Sequence, residues 1–151
     1  MKTVIIYESK HHGNTEKLVK AVAEAYGIDC FDAEKNRGVD LTAYDCIGFA
    51  SGIVGGSFYK NVIGYARRVP DNTPVFFLYT CSRNDKDYAA GMKEITEARG
   101  CRTLATYGCR GFNTFGPLKL IGGINQDHPN DAELRAAIGA CAFIKNGIPM
   151  I

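Results

Sequence analysis

Five short runs of apolar, β-branched and aromatic residues alternate with segments long enough to form helices, and this alternation constrains the fold more than any other feature of the sequence. The runs are residues 3–7, 28–31, 45–50, 75–79 and 104–109. Runs 3–7 (TVIIY) and 75–79 (VFFLY) are almost unbroken by polar residues, the pattern of strands buried on both faces. Between the runs, residues 14–26 place Leu18, Val19, Val22, Ala23 and Tyr26 at helical spacing, and Gly27 follows where a helix-ending glycine belongs. Further helices are predicted over 58–69, over 86–99 before Gly100, and over 132–146. Pro129, Asn130 and Asp131 supply start signals for the last helix, and Gly147 its stop. Strand and helix in alternation predict an α/β fold, with a five-stranded parallel sheet covered on both faces and right-handed crossovers. The chain of 151 residues reads as one domain, with no internal repeat or linker. In such a sheet ligands bind outside the carboxyl ends of the strands, at the switch point. The loops after the first, third and fourth strands are therefore the ones expected to carry function.

Composition removes several alternatives. The formal charge is +2 and no Lys/Arg run exceeds Arg67-Arg68, so no nucleic-acid-tracking stripe is expected. No apolar stretch approaches the roughly 18 residues of a membrane span. Met1-Lys2 leads directly into the first strand, so no signal peptide is expected. The six cysteines include no C-x-x-C pair and no zinc-like spacing with histidine. Most sit in apolar runs, where a free thiol packs as a small hydrophobe. A reducing, cytoplasmic location follows as the expectation.

The first loop reads Ser9-Lys10-His11-His12-Gly13-Asn14-Thr15 and runs from a buried strand into a helix N-terminus. Such a terminus offers unpaired N–H groups and partial positive charge, which suit a phosphate. Gly13 permits close backbone approach, and Ser9, Asn14 and Thr15 can add donors. A capped helix start without any ligand uses the same residues, and this loop alone leaves both readings open. Other nucleotide loops are missing from the sequence, namely G-x-x-x-x-G-K-[ST], G-x-G-x-x-G after the first strand, and C-x5-R. The paired acidic residues of a receiver domain are missing too, since only Glu8 follows the first strand and the third ends in Ala50-Ser51.

The segment from Ser9 to Thr15, continuing into Glu16, resembles the phosphate loop of the flavodoxins, T/S-x-T/S-G-x-T. The third run with Ser51-Gly52-Ile53 and the fourth run fall where that family places them, so the resemblance covers nearly the whole chain. It implies a three-layer flavodoxin-like fold with strand order 2-1-3-4-5 and non-covalent binding of FMN. By position, Ser9, His11, His12, Gly13, Asn14 and Thr15 would hold the phosphate, the histidines chiefly through backbone N–H. Ser51, Gly52, Ile53, Val54, Gly55, Gly56 and Phe58 would border the isoalloxazine ring, with a carbonyl near Gly55 free to turn toward N5. Thr80, Cys81, Ser82, Asn84 and Asp85 would meet its pyrimidine edge. The phosphate loop departs from the family pattern by one extra residue, and the chain has no Trp to stack on the ring. Phe58 or Tyr59 could take that place, as could Ile53 and Val54. Phe112, Phe115 and Pro117 in the long loop after the fifth strand either cap a pocket or pack locally.

The resemblance implies a redox role in which the flavin performs the chemistry and no side chain need act as acid, base or nucleophile. An electron carrier between protein partners is the first expectation, with the chain monomeric or weakly dimeric. The alternatives are an FMN-dependent NAD(P)H:quinone or small-acceptor reductase, and a flavin-free binding module on the same scaffold. The slightly basic balance keeps the reductase reading in play. Lys60, Arg67, Arg68, Arg83, Lys86, Arg110 and Lys119 lie in or near the candidate loops, and no acidic steering field is apparent.

Overall fold

In β1 (Thr3–Glu8) all six residues are buried, as its unbroken apolar pattern requires. A computed structural model of the protein describes residues 1–10, 12–114 and 116–148. The other strands are β2 (Asp29–Asp32), β3 (Cys46–Gly52), β4 (Val75–Cys81) and β5 (Thr103–Arg110). All pair in parallel, in the order β2-β1-β3-β4-β5. The helices are α1 (Asn14–Tyr26), α2 (Lys60–Ala66), α3 (Ala90–Glu97), α4 (Asp131–Ala140) and α5 (Phe143–Asn146).

The period of two along each strand sends alternate side chains to two separate cores. Val75, Phe77 and Tyr79 of β4 join Val4, Ile6 and Phe49 under α2 and α3, with Val62, Tyr65 and Met92. Phe76 and Leu78 turn the other way, to Ile5, Leu18, Val22 and Phe143. Two strand glycines make room for large neighbours. A Cβ on Gly48 would lie 2.4 Å from the Phe76 ring, and one on Gly108 would lie 2.1 Å from the Tyr79 ring. All six cysteines are unpaired, and five are buried. The chain leaves β1 toward β2 and then crosses back to β3, so the switch point opens between β1 and β3 at their carboxyl ends.

Several boundaries differ from the sequence expectation. β3 runs on through Ser51 and Gly52, and β4 through Thr80 and Cys81, because Ser51 pairs with Glu8 and Tyr79, and Gly52 with Thr80. Those four residues are strand ends instead of loop residues. α2 starts at Lys60 instead of Phe58, because Phe58 is drawn into the core, 3% exposed, edge-on to Phe77 and Tyr79. α3 starts at Ala90 instead of Lys86, since the Asp87 carboxylate takes the Ala89 N–H (2.9 Å) in a preceding turn. The single last helix expected is two. Around Cys141 the bonding tightens to i→i+3, from Cys141 N to Ile138 O and from Ala142 N to Gly139 O. The chain then turns Phe143 against Phe76, ring centroids 5.3 Å apart.

Candidate functional site

The helix start after β1 is built by one hydroxyl and one glycine. Gly13 occupies the N-cap of α1 with φ 66° and ψ 22°, a conformation that costs any residue with a Cβ. Its carbonyl takes the first helical bond, from Lys17 N at 2.9 Å. Ser9 Oγ reaches across the loop to accept the N–H of Glu16 at 3.0 Å, which satisfies the third donor of the first turn. The N–H groups of Asn14 and Thr15 have no acceptor among the described residues.

A cleft of about 340 Å³ opens in front of these donors, a size within the range of ligand pockets, roughly 300–1,000 Å³. Ser9, Asn14 and Thr15 line it from the first loop, Gly52, Ile53, Val54 and Gly55 from the second, and Thr80, Cys81 and Ser82 from the third. These ten expected site residues therefore do come together at the switch point. The hydroxyls of Thr15 and Thr80 lie 2.7 Å apart and buried. One donates to the other, so the accepting hydroxyl keeps its own proton for a further bond.

The remaining candidates are placed differently. Gly13 shapes the helix start without lining the cleft. His12, itself at φ 52°, stacks on Phe112 with centroids 4.1 Å apart and shares a 2.8 Å hydrogen bond with Thr114. Its ring thus joins the two loops instead of meeting a ligand. His11 lies outside the described residues, as does Phe115. Ser51 is fully buried. Its hydroxyl donates to Gly52 O and accepts the Tyr59 N–H at 2.9 Å, bracing the second loop from beneath. Gly56 sits with Gly55 in a tight turn closed by two Val54–Ser57 backbone bonds of 3.0 and 3.1 Å. Phe58 packs in the core instead of beside the cleft. Asn84 donates to Gly108 O at 2.9 Å, and the Asp85 carboxylate accepts the Tyr88 hydroxyl at 3.0 Å. Each side chain is thus held by one protein bond, and neither lines the cleft. The Asn14 amide is held against Phe112, donating to Phe112 O (2.8 Å) and accepting from Phe112 N (3.2 Å).

Four further residues line the cleft outside the set assigned from sequence: Lys10, Tyr59, Gly111 and Asn113. Tyr59 is, with Phe58, an aromatic residue that the sequence offers for stacking on the ring. Lys10 sits inside the phosphate loop itself, and its charge next to Glu8 was the available signal. Its ammonium lies 3.1 Å from the Glu8 carboxylate and 5.3 Å from the centre of the Tyr59 ring. The hydrogen bond to Glu8, then its charge, raises the Lys10 pKa. Glu8 is 1% exposed and also accepts from the Asn61 amide at 2.7 Å. Gly111 and Asn113 carry no local signal, because long-range contacts bring them in. A Cβ on Gly111 would fall 2.5 Å from the Asn14 amide nitrogen. Asn113 donates to the Ser82 hydroxyl, and Asn125 donates to Ser82 O at 2.9 Å.

Burial pushes the Cys81 thiol up to about 11 and Cys109 up to about 12, so both stay protonated near neutral pH and pack as apolar groups. Among the described residues no cluster of His, Cys, Asp and Glu is arranged to hold a metal ion. No helix among them is long and apolar enough to cross a membrane. FMN fits the donor set in two parts. Free N–H groups and a spare hydroxyl proton at one end suit a phosphate. Ile53, the glycines and Tyr59 present an apolar wall suited to a flat ring. Gly52 keeps that wall close, since a Cβ there would meet Tyr59 at 3.2 Å.

Comparison with known proteins follows the same lines. A family model described as a flavodoxin domain matches residues 4–108. An uncharacterized protein of Methanocaldococcus jannaschii is 31% identical over 140 residues, covering 91% of this chain and 93% of that protein. Among solved structures, a flavodoxin from the domain Archaea superposes with a TM-score of 0.63 at 14% identity, covering 96% of this chain and 99% of that one. The apo form of an NADH:FMN oxidoreductase superposes with a TM-score of 0.68 at 10% identity, covering 99% of this chain and 91% of that one.

Proposed function

The chain belongs to the flavodoxin family, and from that premise we propose that it is a one-domain redox protein holding FMN in the cleft between β1, β3 and β4. The observation that carries this reading is the pairing of unoccupied Asn14 and Thr15 N–H donors with the buried Thr15–Thr80 hydroxyl pair, in a cleft that Ile53, Val54 and Tyr59 also line. FMN supplies one- and two-electron transfer when bound. The protein binds, orients and shields it. The start of α1 receives the phosphate through backbone donors and partial positive charge. Gly52, Ile53 and Tyr59 flank the ring and keep water from it. Lys10, tethered by Glu8 over Tyr59, sets a fixed charge at the rim.

In this reading the protein passes electrons between redox partners in a reducing, cytoplasmic setting, which six unpaired cysteines suit. The net charge of +2 favours a second reading, reduction of a small acceptor at the expense of a nicotinamide cofactor. Steady-state oxidation of NADH or NADPH with a quinone acceptor separates the two.

Titration of apo-protein with FMN and with riboflavin tests the site. Wild type should bind FMN more tightly than riboflavin. Thr15→Val, which keeps shape but removes the hydroxyl, should cost FMN about 1.5–3 kcal/mol, the worth of a hydrogen bond to a charged group, and leave riboflavin nearly unchanged. Equal weakening of both ligands would place the phosphate elsewhere.

A further inference from the structure

We propose that a groove beside α2, apart from the flavin cleft, binds the phosphate or diphosphate group of a small molecule. The groove has a volume of about 340 Å³ and is lined by Arg37, Lys60 and Arg68, with Asn61, Gly64 and Tyr65. The three cations come from separate places: the segment after β2, the first residue of α2, and the turn just beyond its end. None of the three forms an ion pair with a described residue, and no carboxylate lines the groove. Three like charges converging on a concave surface repel one another, and a polyanion seated among them relieves that repulsion.

The groups are held ready for such a ligand. Tyr65 is buried under the groove. Its hydroxyl donates to Asn36 O at 2.5 Å and accepts from Val39 N at 3.1 Å, which pins the segment carrying Arg37 to α2. The Arg68 guanidinium carbon lies over the Tyr65 ring, 4.5 Å from its centre, which holds the charge at the groove. Arg37 spends only its Nε, on Glu34 O at 3.2 Å, and keeps its terminal N–H groups. A Cβ on Gly64 would meet nothing within 4 Å, so the space above the helix is open. Convergence on a glycine-floored concavity suits a compact phosphate better than the broad face of an acidic protein. The groove adjoins the flavin cleft through a single buried carboxylate: Asn61 lines the groove and donates to Glu8, and Glu8 pairs with Lys10 at the cleft.

This inference does not rest on FMN occupying the cleft, and its test keeps the two apart. Protein saturated with FMN is titrated calorimetrically with sodium diphosphate, ADP and NADPH, and the apo-protein with diphosphate. Binding of at least one probe is expected. It should weaken tenfold or more in Arg37→Gln/Arg68→Gln and also in Gly64→Leu, which fills the floor without changing charge. FMN affinity should be unchanged in both variants. Binding of diphosphate alone identifies an inorganic ligand, while tighter binding of ADP or NADPH identifies a nucleotide. No binding of any probe at millimolar concentration, or binding that both variants retain, overturns the proposal. Failure of FMN to bind, with the groove still taking diphosphate, would count only against the flavin reading.

Discussion

The two walls of the cleft are held by opposite means. The wall from Ser51 to Tyr59 closes on itself. Gly55 (φ 57°) and Gly56 (φ 79°) make a two-residue turn between Val54 and Ser57, and the Ser51 hydroxyl accepts the N–H of Tyr59, eight residues on. Gly111 and Asn113 also line the cleft, and the described residues around them are tied to distant elements. Asn14 holds both backbone groups of Phe112 across 98 residues, and Lys17 donates to Pro129 O across 112. Ser82 is bonded by Asn113 and Asn125. A locally closed wall can move by turning a few glycine dihedrals. A wall held from afar moves only by giving up several tertiary bonds together, so its order reports on α1 and β4.

Removing Asn14 should break this contrast most severely. Asn14→Ala leaves the Phe112 C=O without its Asn14 donor, while the Phe112 N–H keeps His128 O at 3.0 Å, and one such part-buried loss costs about 1–3 kcal/mol. Urea denaturation should show that loss, and limited proteolysis should show new cleavage between residues 111 and 130. If Ser51→Ala, which removes a local brace, destabilises as much and exposes the same segment, the two walls are not distinct.

A smaller effect is expected from Gly56→Ala. A Cβ there meets nothing within 4 Å, so the cost is conformational only, about 1–2 kcal/mol at positive φ. Amide exchange should quicken from Val54 to Ser57 and stay unchanged from Gly111 to Pro129. Faster exchange in both walls would show that they are coupled.

The smallest effect concerns Glu133, which caps α4 by accepting the Asn130 N–H at 2.9 Å and meets the His128 ring at 2.5 Å. Burial pushes its carboxyl pKa up, but the hydrogen bonds from Asn130 and His128, and the charge of His128, outweigh burial and hold it below the ordinary carboxylate range. A pKa lowered in the folded state contributes stability that is present above the unfolded value, about 4.3, and lost as pH falls through the folded one. Amide exchange near His128 should therefore quicken in wild type as pH drops below about 4, while Glu133→Gln should show no step there.

Much of the fold was readable in the residues themselves. The five apolar runs became five strands, and the helix over residues 14–26 has the bounds its periodicity predicts. Of the cleft lining, Asn14 and Thr15 were recognisable because a helix start is made by neighbours in sequence. Ile53 and Gly55 were recognisable because a glycine-rich stretch follows a buried strand. Tertiary packing redirected the rest. Phe58 gave up a place in α2 for the core, because a buried aromatic ring gains more from apolar contact than from one more helical residue. Asn84 and Asp85 sit in the expected loop but outside the cleft lining, bonded to Gly108 O and the Tyr88 hydroxyl.

By itself, then, the sequence determined the alternating elements, the glycine-started helix and the strand ends around which a ligand can sit, because propensity, periodicity and capping act over a few residues. Only the tertiary structure decided what those residues meet. The Asn14 side chain became the anchor of Phe112 while its backbone N–H stayed at the cleft, Gly111 and Asn113 joined the cleft, and Arg37 came beside Lys60 and Arg68. Those pairings join residues far apart in the chain, and they form only once the sheet and its crossovers have brought them within reach of a hydrogen bond or a shared charge.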